Sequence, residues 1–464
     1  MDSRISPRPP IAGEELPHVG AGLRFLDAPT DYLAELRARH GDTFFVDLFG
    51  FPLLISFSAR GLQSLYQLPE EDASFGLATF DMIGFKTPTE LFADVDPALF
   101  RDLLSPALLP GYLATMDAVV EDEFARWGES GEIDLFDAIR TLEQRAGFAL
   151  WIAPVAATEP WWQTLKRHLD VMDQATAFVQ PQAALATIAS GKAAERAALA
   201  AIGVLLPQIL AAHDASPHRG SATADRLRER FANPDPALAA RKLLHNTVNL
   251  NQGFLSNLYA AIAWTIGELL LRPALHDALR AETSVARTQY GEGFRLSLAA
   301  LETLQRHDEM FMESTRIAQR SLTLRKVLRE IDFDAGDAVY RVQPGVYIAT
   351  MLSVTNTQTA ELARFDPAHY RGRELRPELL EKGRESVSTF GHGRHACPAQ
   401  RFSRCMARIV ISRLLEGFTL EPLFDRLVPS ARQMGGVSRP QSATRIRYRR
   451  RDTPPSPHGA SPMH

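Results

Sequence analysis

A mainly α fold with small β-sheets is what this sequence predicts, and three observations carry that reading. Apolar residues recur with helical spacing over most of the chain. One short pair of alternating or apolar runs near the N-terminus has strand character. No Pro/Gly/Ser linker or charge run divides the middle of the 464 residues. An apolar content of 45% is enough for a substantial core, and a net charge of −4 gives no reason to expect a nucleic-acid partner.

Taken in order, residues 1–20 form a proline- and charge-bearing leader with neither signal peptide nor membrane anchor, and no apolar run reaches the ~18 residues of a membrane span. Tyr32 to His40 is a helix closed by Gly41, and Thr43 to Asp47 with Leu53 to Phe57 make a strand pair. Phe75 to Phe92 is a Gly/Pro-broken loop whose Phe75, Phe80, Met82, Ile83, Phe85, Leu91 and Phe92 need a pocket or a core to face. Helical patterns run from Ala98 to Trp127, Leu135 to Trp151, Trp161 to Phe178, Ala193 to His213, Ala237 to Leu271 and Pro273 to Thr283, with a last helix from about Ala399 to Leu415. Residues 449–464 are Arg-, Pro- and Ser-rich, the composition of a disordered tail. Two cysteines eight residues apart, Cys397 and Cys405, leave no disulfide framework and point to a reducing, cytoplasmic compartment.

The chemistry concentrates in Phe390-Gly391-His392-Gly393-Arg394-His395-Ala396-Cys397-Pro398. This glycine-bent loop delivers one thiolate to the start of a helix, whose unpaired N–H groups and dipole favour an ionised sulfur. A thiolate held in that way suits haem iron, to which it donates electron density. Gly391 and Gly393 let the loop pass close under a flat macrocycle, and Phe390 shields the sulfur from water. The plain alternative is a buried free cysteine. Upstream, Glu313-Ser314-Thr315-Arg316 places an acid and a base three apart on one face of an apolar helix, 84 residues before Cys397.

The loop resembles the haem-binding signature of the cytochrome P450 superfamily, Phe-Gly-x-Gly-x-(Arg or His)-x-Cys, with His395 at the variable cationic position and Ala399 where Gly is usual. The resemblance implies a single domain over residues 21–448, with Cys397 as the axial ligand of haem b. Glu313 and Arg316 look like the family's buried Glu-x-x-Arg, which is joined by an Arg from the segment Phe365 to Arg373; Arg373 is expected to be that third member, with Arg371 as the alternative. By resemblance, the loop Phe75–Phe92 covers the substrate, while Arg101, four residues before Ser105-Pro106, Arg325 and His395 are candidate donors to the haem propionates. Pro97 stands where the aromatic companion of Arg101 is usual.

The long helix departs from the family's common pattern. Counting back from Trp264 and Pro273, nine apart, puts Ser256 and Asn257, beside Gly253, where an acid and a Thr usually relay protons. A gap here is disfavoured, since each inserted residue rotates the helix by about 100°. Amides crowd the helix instead: Asn246, Asn249, Asn251, Gln252 and Asn257. Asn at that position resembles the bile-acid sterol hydroxylases and prostacyclin synthase. Two chemistries stay open. One is a monooxygenase that takes electrons from a ferredoxin- or flavodoxin-type donor and oxidises a hydrophobic small molecule. The other is a donor-independent isomerase or lyase acting on a hydroperoxide or endoperoxide. Arg401, Arg404 and Arg408 share a face of the last helix and are expected to form a cationic strip for an acidic donor.

Overall fold

The axis of the molecule is a 35-residue helix, Pro236–Leu270, which at ~1.5 Å per residue spans about 52 Å. A computed structural model describes residues 5–6, 8–13, 16, 19–84, 86–173, 186–216, 223–380 and 383–451. Within them, the first half carries helices α1 (Val19–Asp27), α2 (Pro29–His40), α3 (Ala59–Gln67), α4 (Phe75–Ile83), α5 (Leu99–Leu103), α6 (Leu109–Arg126), α7 (Leu135–Trp151) and α8 (Trp161–Val171). The second half carries α9 (Ala193–Ala215), α10 (Thr223–Arg230), α11 (Pro236–Leu270), α12 (Pro273–Tyr290), α13 (Gln305–Ala318) and α14 (Gln400–Gly417), besides short helical turns. Side-chain oxygens of Ser58, Ser74, Asp134 and Asp235 accept first-turn N–H groups at the starts of α3, α4, α7 and α11.

Three small sheets flank the helices. The largest has five strands in the order Thr43–Leu48, Phe51–Ser56, Tyr347–Met351, Leu322–Val327 and Ala73–Ser74. Its first hairpin turns at Phe49 and Gly50, whose φ values of 57° and 83° are the left-handed pair that a two-residue turn between twisted strands requires. The second sheet has Val339–Val342 at its centre, paired with Ile331–Asp334 on one side and Ile5–Ser6 on the other. The third pairs Ser130–Asp134, Arg445–Arg450 and Phe418–Pro422.

What fixes the site is the packing beneath α11. Helices α7 and α13 both pack against it. The rings of Trp151 (α7), Phe254 (α11) and Phe402 (α14) lie 5.4–5.8 Å apart, so the start of α14 is held under the middle of α11.

Several elements differ from the sequence expectation. Phe75–Ile83 is a helix rather than a loop: Glu70 accepts the N–H groups of Phe75 and Gly76, and Ser74 accepts that of Leu77, so the first turn is capped. The expected helix Ala98–Trp127 is broken into α5 and α6 around Ser105 and Pro106, where proline supplies no N–H. The helix from Pro273 runs on to Tyr290 and closes at Gly291 with φ 81°.

Part of the expected leader belongs to the fold, since Ala12 N–H donates to Phe45 O and Pro10 O accepts from Phe45. The expected tail begins late, because Arg449 and Arg450 are paired in a strand; residues 452–464, Phe85 and the 174–178 end of the expected fourth helix fall outside the described residues. Helix α9, alanine-rich and 23 residues long, does reach the length and apolarity of a membrane span, contrary to the sequence reading. In this fold it buries Leu199, Ile202, Leu206 and Ile209 against its neighbours, including α8 and α11.

Candidate active site

Cys397 reaches a cavity of about 370 Å³, a volume within the ~300–1,000 Å³ of small-molecule sites. The loop that carries it is closed by the Cys397 N–H donating to Phe390 O at 2.7 Å. Gly391 (φ 76°) cannot take a side chain, for a Cβ there would lie 2.6 Å from the His395 carbonyl; Gly393 has φ 59°. Helix α14 begins at Gln400, and the Ala399 N–H points at the Cys397 sulfur. Burial nevertheless pushes this thiol above its ordinary value, so the helix start alone does not ionise it as the sequence suggested. A bound cation would reverse that balance. Phe390 lines the cavity and tilts toward Phe311 at 6.3 Å.

Three hydrogen-bond donors, Arg325 and its electrostatic neighbours Tyr66 and His395, line the cavity. Arg325, in the strand Leu322–Val327, is fully buried; its Nη1 donates to Leu324 O at 3.2 Å, while Nε and Nη2 have no partner among the described residues. Burial lowers its pKa to about 10, so it stays a cation at neutral pH. The His395 ring lies 5.3 Å from that of Phe75, tilted by 48°; its Nε2, 3.9 Å from Glu70 Oε2, makes no hydrogen bond among the described residues, and burial followed by the Arg325 charge lowers its pKa. The Tyr66 hydroxyl is buried beside Ser388 and Thr323, with no well-formed hydrogen bond among the described residues. An unpaired buried cation costs several kcal/mol. Arg325, His395 and Tyr66 all line the cavity, so an anionic group there would satisfy all three. A thiol and an anion cradle lining the same cavity fit a haem with its iron and propionates.

Arg101 is placed elsewhere. Helix α5 buries Leu99 and Leu103, four apart, which turns Arg101 outward; its side chain is 78% exposed and 3.6 Å from Asp102. Gly253 does line the cavity, but the space of its missing side chain is taken by the Phe100 ring. Ser256 and Asn257 line the cavity as expected. Ser256 Oγ donates to Gly253 O at 3.0 Å, and Asn257 Oδ1 accepts the Val437 N–H at 2.7 Å.

The other amides of α11 are anchors. Asn246 accepts the Asp96 N–H and donates to the carbonyls of Asp94 and Lys242, at 2.8–2.9 Å. Asn249 donates to Leu91 O, Asn251 to Thr247 O and Gln252 to Leu169 O.

Glu313 and Arg316 form a fully buried fork–fork pair at 2.6 and 2.8 Å. Among the described side chains the third member is His369, whose Nδ1 lies 3.1 Å from Glu313 Oε1, and not Arg371. Arg371 is exposed, and the Arg373 side chain lies outside the described residues. Burial alone would raise Glu313, but hydrogen bonds from Arg316 and His369 hold it below the usual carboxylate range. The Glu313 hydrogen bond raises His369. Asn356 carries this cluster to the cysteine loop: its Nδ2 donates to the carbonyls of Arg316 and Ser388, its Oδ1 accepts the Ser388 N–H, and Ser388 Oγ accepts that of Gly391. Sequence reasoning missed His369 because it sought an arginine, although Pro367-Ala368-His369-Tyr370 marks the turn. Nothing in the sequence singled out Tyr66.

The cationic strip does not form. Arg404 and Arg408 turn inward onto buried Asp308, and Arg401 pairs with Glu302 at 2.8 Å, half exposed. A charge 4% exposed, as on Arg408, cannot meet a partner's surface.

Comparison with known proteins agrees with this geometry. The family model "Cytochrome P450" matches residues 212–447. A sterol 14alpha-demethylase of Mycolicibacterium vanbaalenii is 22% identical over 96% of this chain and 98% of its own. Mouse cytochrome P450 7B1 is 20% identical over 95% and 90%, and the cytochrome P450 monooxygenase olcJ of Penicillium canescens 23% over 96% and 88%. The solved structure of retinoic acid-bound cyanobacterial CYP120A1 has the same fold, with a TM-score of 0.72 over 96% of this chain and 99% of that one at 17% identity. A thiol-bearing loop under the long helix, the buried Glu313–Arg316 pair and these matches lead to one conclusion: the chain belongs to the cytochrome P450 family and is an oxidoreductase.

Proposed function

We propose that this protein is a haem-thiolate monooxygenase that inserts one oxygen atom of O2 into a hydrophobic small molecule, using electrons from a separate ferredoxin- or flavodoxin-type donor. The observation that carries it is a single cavity lined both by Cys397 and by Arg325, His395 and Tyr66, whose donors lack a hydrogen-bond partner among the described residues. In this reading Cys397 Sγ is the axial ligand of haem b, and the three donors hold its carboxylates. The haem, once bound, supplies dioxygen activation, favoured by the electron push of a thiolate.

The chain's own residues do the rest. Phe390, packed toward Phe311, keeps water from the sulfur, and the Glu313–Arg316–His369 cluster braces the loop through Asn356 and Ser388. Phe75, Met82, Leu322, Leu324 and Val437 offer an apolar surface to the substrate. The names of the relatives, sterol 14alpha-demethylase and a retinoic acid complex, support a lipid-like substrate class. Asn257 supplies a hydrogen-bonding group but no proton of its own near neutral pH, so protons come through water or a substrate hydroxyl. The catalytic unit extends past residues 21–448 to take in Pro10 and Ala12 on one side and Arg449 and Arg450 on the other, and a cytoplasmic setting agrees with two free cysteines.

The test is the spectrum of the reduced protein under carbon monoxide. A red-shifted Soret band is expected from the wild type and from Cys405→Ala, and its loss from Cys397→Ala. Persistence of that band in Cys397→Ala would sink the assignment.

A further inference from the structure

The segment from Gln433 to Arg439 is laced to α11 at three heights. Val437 N–H donates to Asn257 Oδ1 at 2.7 Å, Arg439 Nε to the Tyr259 hydroxyl at 2.9 Å, and Trp264 Nε1 to Ser438 O at 2.5 Å. Gln433 stiffens the segment from within, donating to the carbonyls of Gly435 and Val437 and accepting the Arg439 N–H, at 2.6–2.9 Å. Trp264 and Tyr259 are core residues, whereas Asn257, Gly435, Gly436 and Val437 line the cavity.

A backbone N–H can only donate, so it dictates that the amide turns Oδ1 toward the segment and leaves Nδ2 on the other side, 3.4 Å from Ser256 Oγ. Gly436 makes this approach feasible. Its φ is 64°, and a Cβ at that position would overlap Asn257 Oδ1.

We propose that Gly436 and Val437 are positioning residues of the distal cavity, which hold Asn257 so that its N–H2 donor, rather than its carbonyl oxygen, faces the ligand. The inference rests on the reading of Asn257 as the cavity's polar group. It predicts a division of labour within one amide: Oδ1 serves the segment and Nδ2 serves the ligand. Asn257→Asp keeps an acceptor for Val437 N–H, Asn257→Leu removes it, and Gly436→Ala drives the amide from its seat.

Two measurements on the haem-loaded protein test this. In hydrogen exchange, peptide 433–439 is expected to exchange about fivefold faster in Asn257→Leu, the size of one net hydrogen bond, and at the wild-type rate in Asn257→Asp. Infrared spectra of the reduced carbon monoxide complex are expected to show a higher C–O stretch in Asn257→Leu, where a donor is lost. Gly436→Ala should move the band the same way, and the double variant no further than Asn257→Leu alone. Unchanged exchange in Asn257→Leu overturns the proposal whatever the infrared result, and needs no folded Gly436 variant. A C–O band that ignores Asn257→Leu while exchange quickens shows instead that Asn257 does not face the ligand; the segment's grip on it would then stand and its role toward the ligand would fall.

Discussion

Replacing Glu313 by Ala is the most exacting test of how the cysteine loop is held. Glu313 accepts from Arg316 Nε and Nη2, from His369 Nδ1 and from the Asp366 N–H, at 2.6–3.1 Å. Glu313, Arg316 and His369 are all fully buried. Without the carboxylate, Arg316 keeps the carbonyls of Asn356, Leu362 and Arg364, and His369 keeps Glu361 at 3.3 Å, so neither is stripped bare. The cost is then that of breaking a buried pair, about 3–5 kcal/mol, set against a total stability of roughly 5–15 kcal/mol. At ~2.1 cal/mol/K per residue, a chain of 464 residues has an unfolding entropy of about 1 kcal/mol/K, so the melting point should fall by only about 3–5 °C. The local effect is larger, because Asn356 links Arg316 directly to Ser388 and thence to Gly391. Glu313→Ala should therefore keep its far-UV helical signal while losing most of its haem, measured as Soret absorbance per protein. Full haem content with an unshifted melting point would refute the bracing argument.

Three further outcomes follow from the same geometry. Arg325→Met should stabilise the haem-free protein by about 1–3 kcal/mol, because an unsatisfied buried donor is removed, yet speed haem transfer to an acceptor protein; equal shifts of both in one direction would contradict the cradle. Arg101→Ala should leave haem content unchanged, since that side chain faces water; a measured loss of haem would place Arg101 back at the site. The third outcome concerns pH. His369 is raised by its hydrogen bond to Glu313, so its contribution is complete below the unfolded value of ~6.5 and is lost as pH rises through the folded value. Glu313 is depressed, and its contribution is lost as pH falls through its own folded value. Melting curves against pH should thus decline on both sides, and His369→Arg, which does not titrate in this range, should flatten the alkaline side alone.

How much of this was legible in the sequence depended on whether a role is tied to chain-local chemistry. The loop around Cys397 could be read because its glycines mark left-handed positions, at Gly391 one where only glycine fits, and α7 and α11 because their apolar runs are periodic. The third member of the Glu313 cluster could not, because imidazole and guanidinium fill the same place through different atoms. Arg101 and the Arg404–Arg408 strip failed for a related reason: which way a cation points is decided by partners distant in sequence, such as Asp308. Tyr66 and Gly436 became visible only when the fold brought them beside Arg325 and Asn257.

Asn246 grips the stretch Asp94–Asp96 as a neighbouring peptide would, with one donor and one acceptor aimed at main-chain groups. Every amino acid except proline offers those same groups, so the attachment is blind to the side chains it holds. This one attachment therefore survives a change of side chain at either residue, whereas the ion pairs of Asp94 with Arg241 and of Asp96 with Arg230, which hold the same stretch, do not.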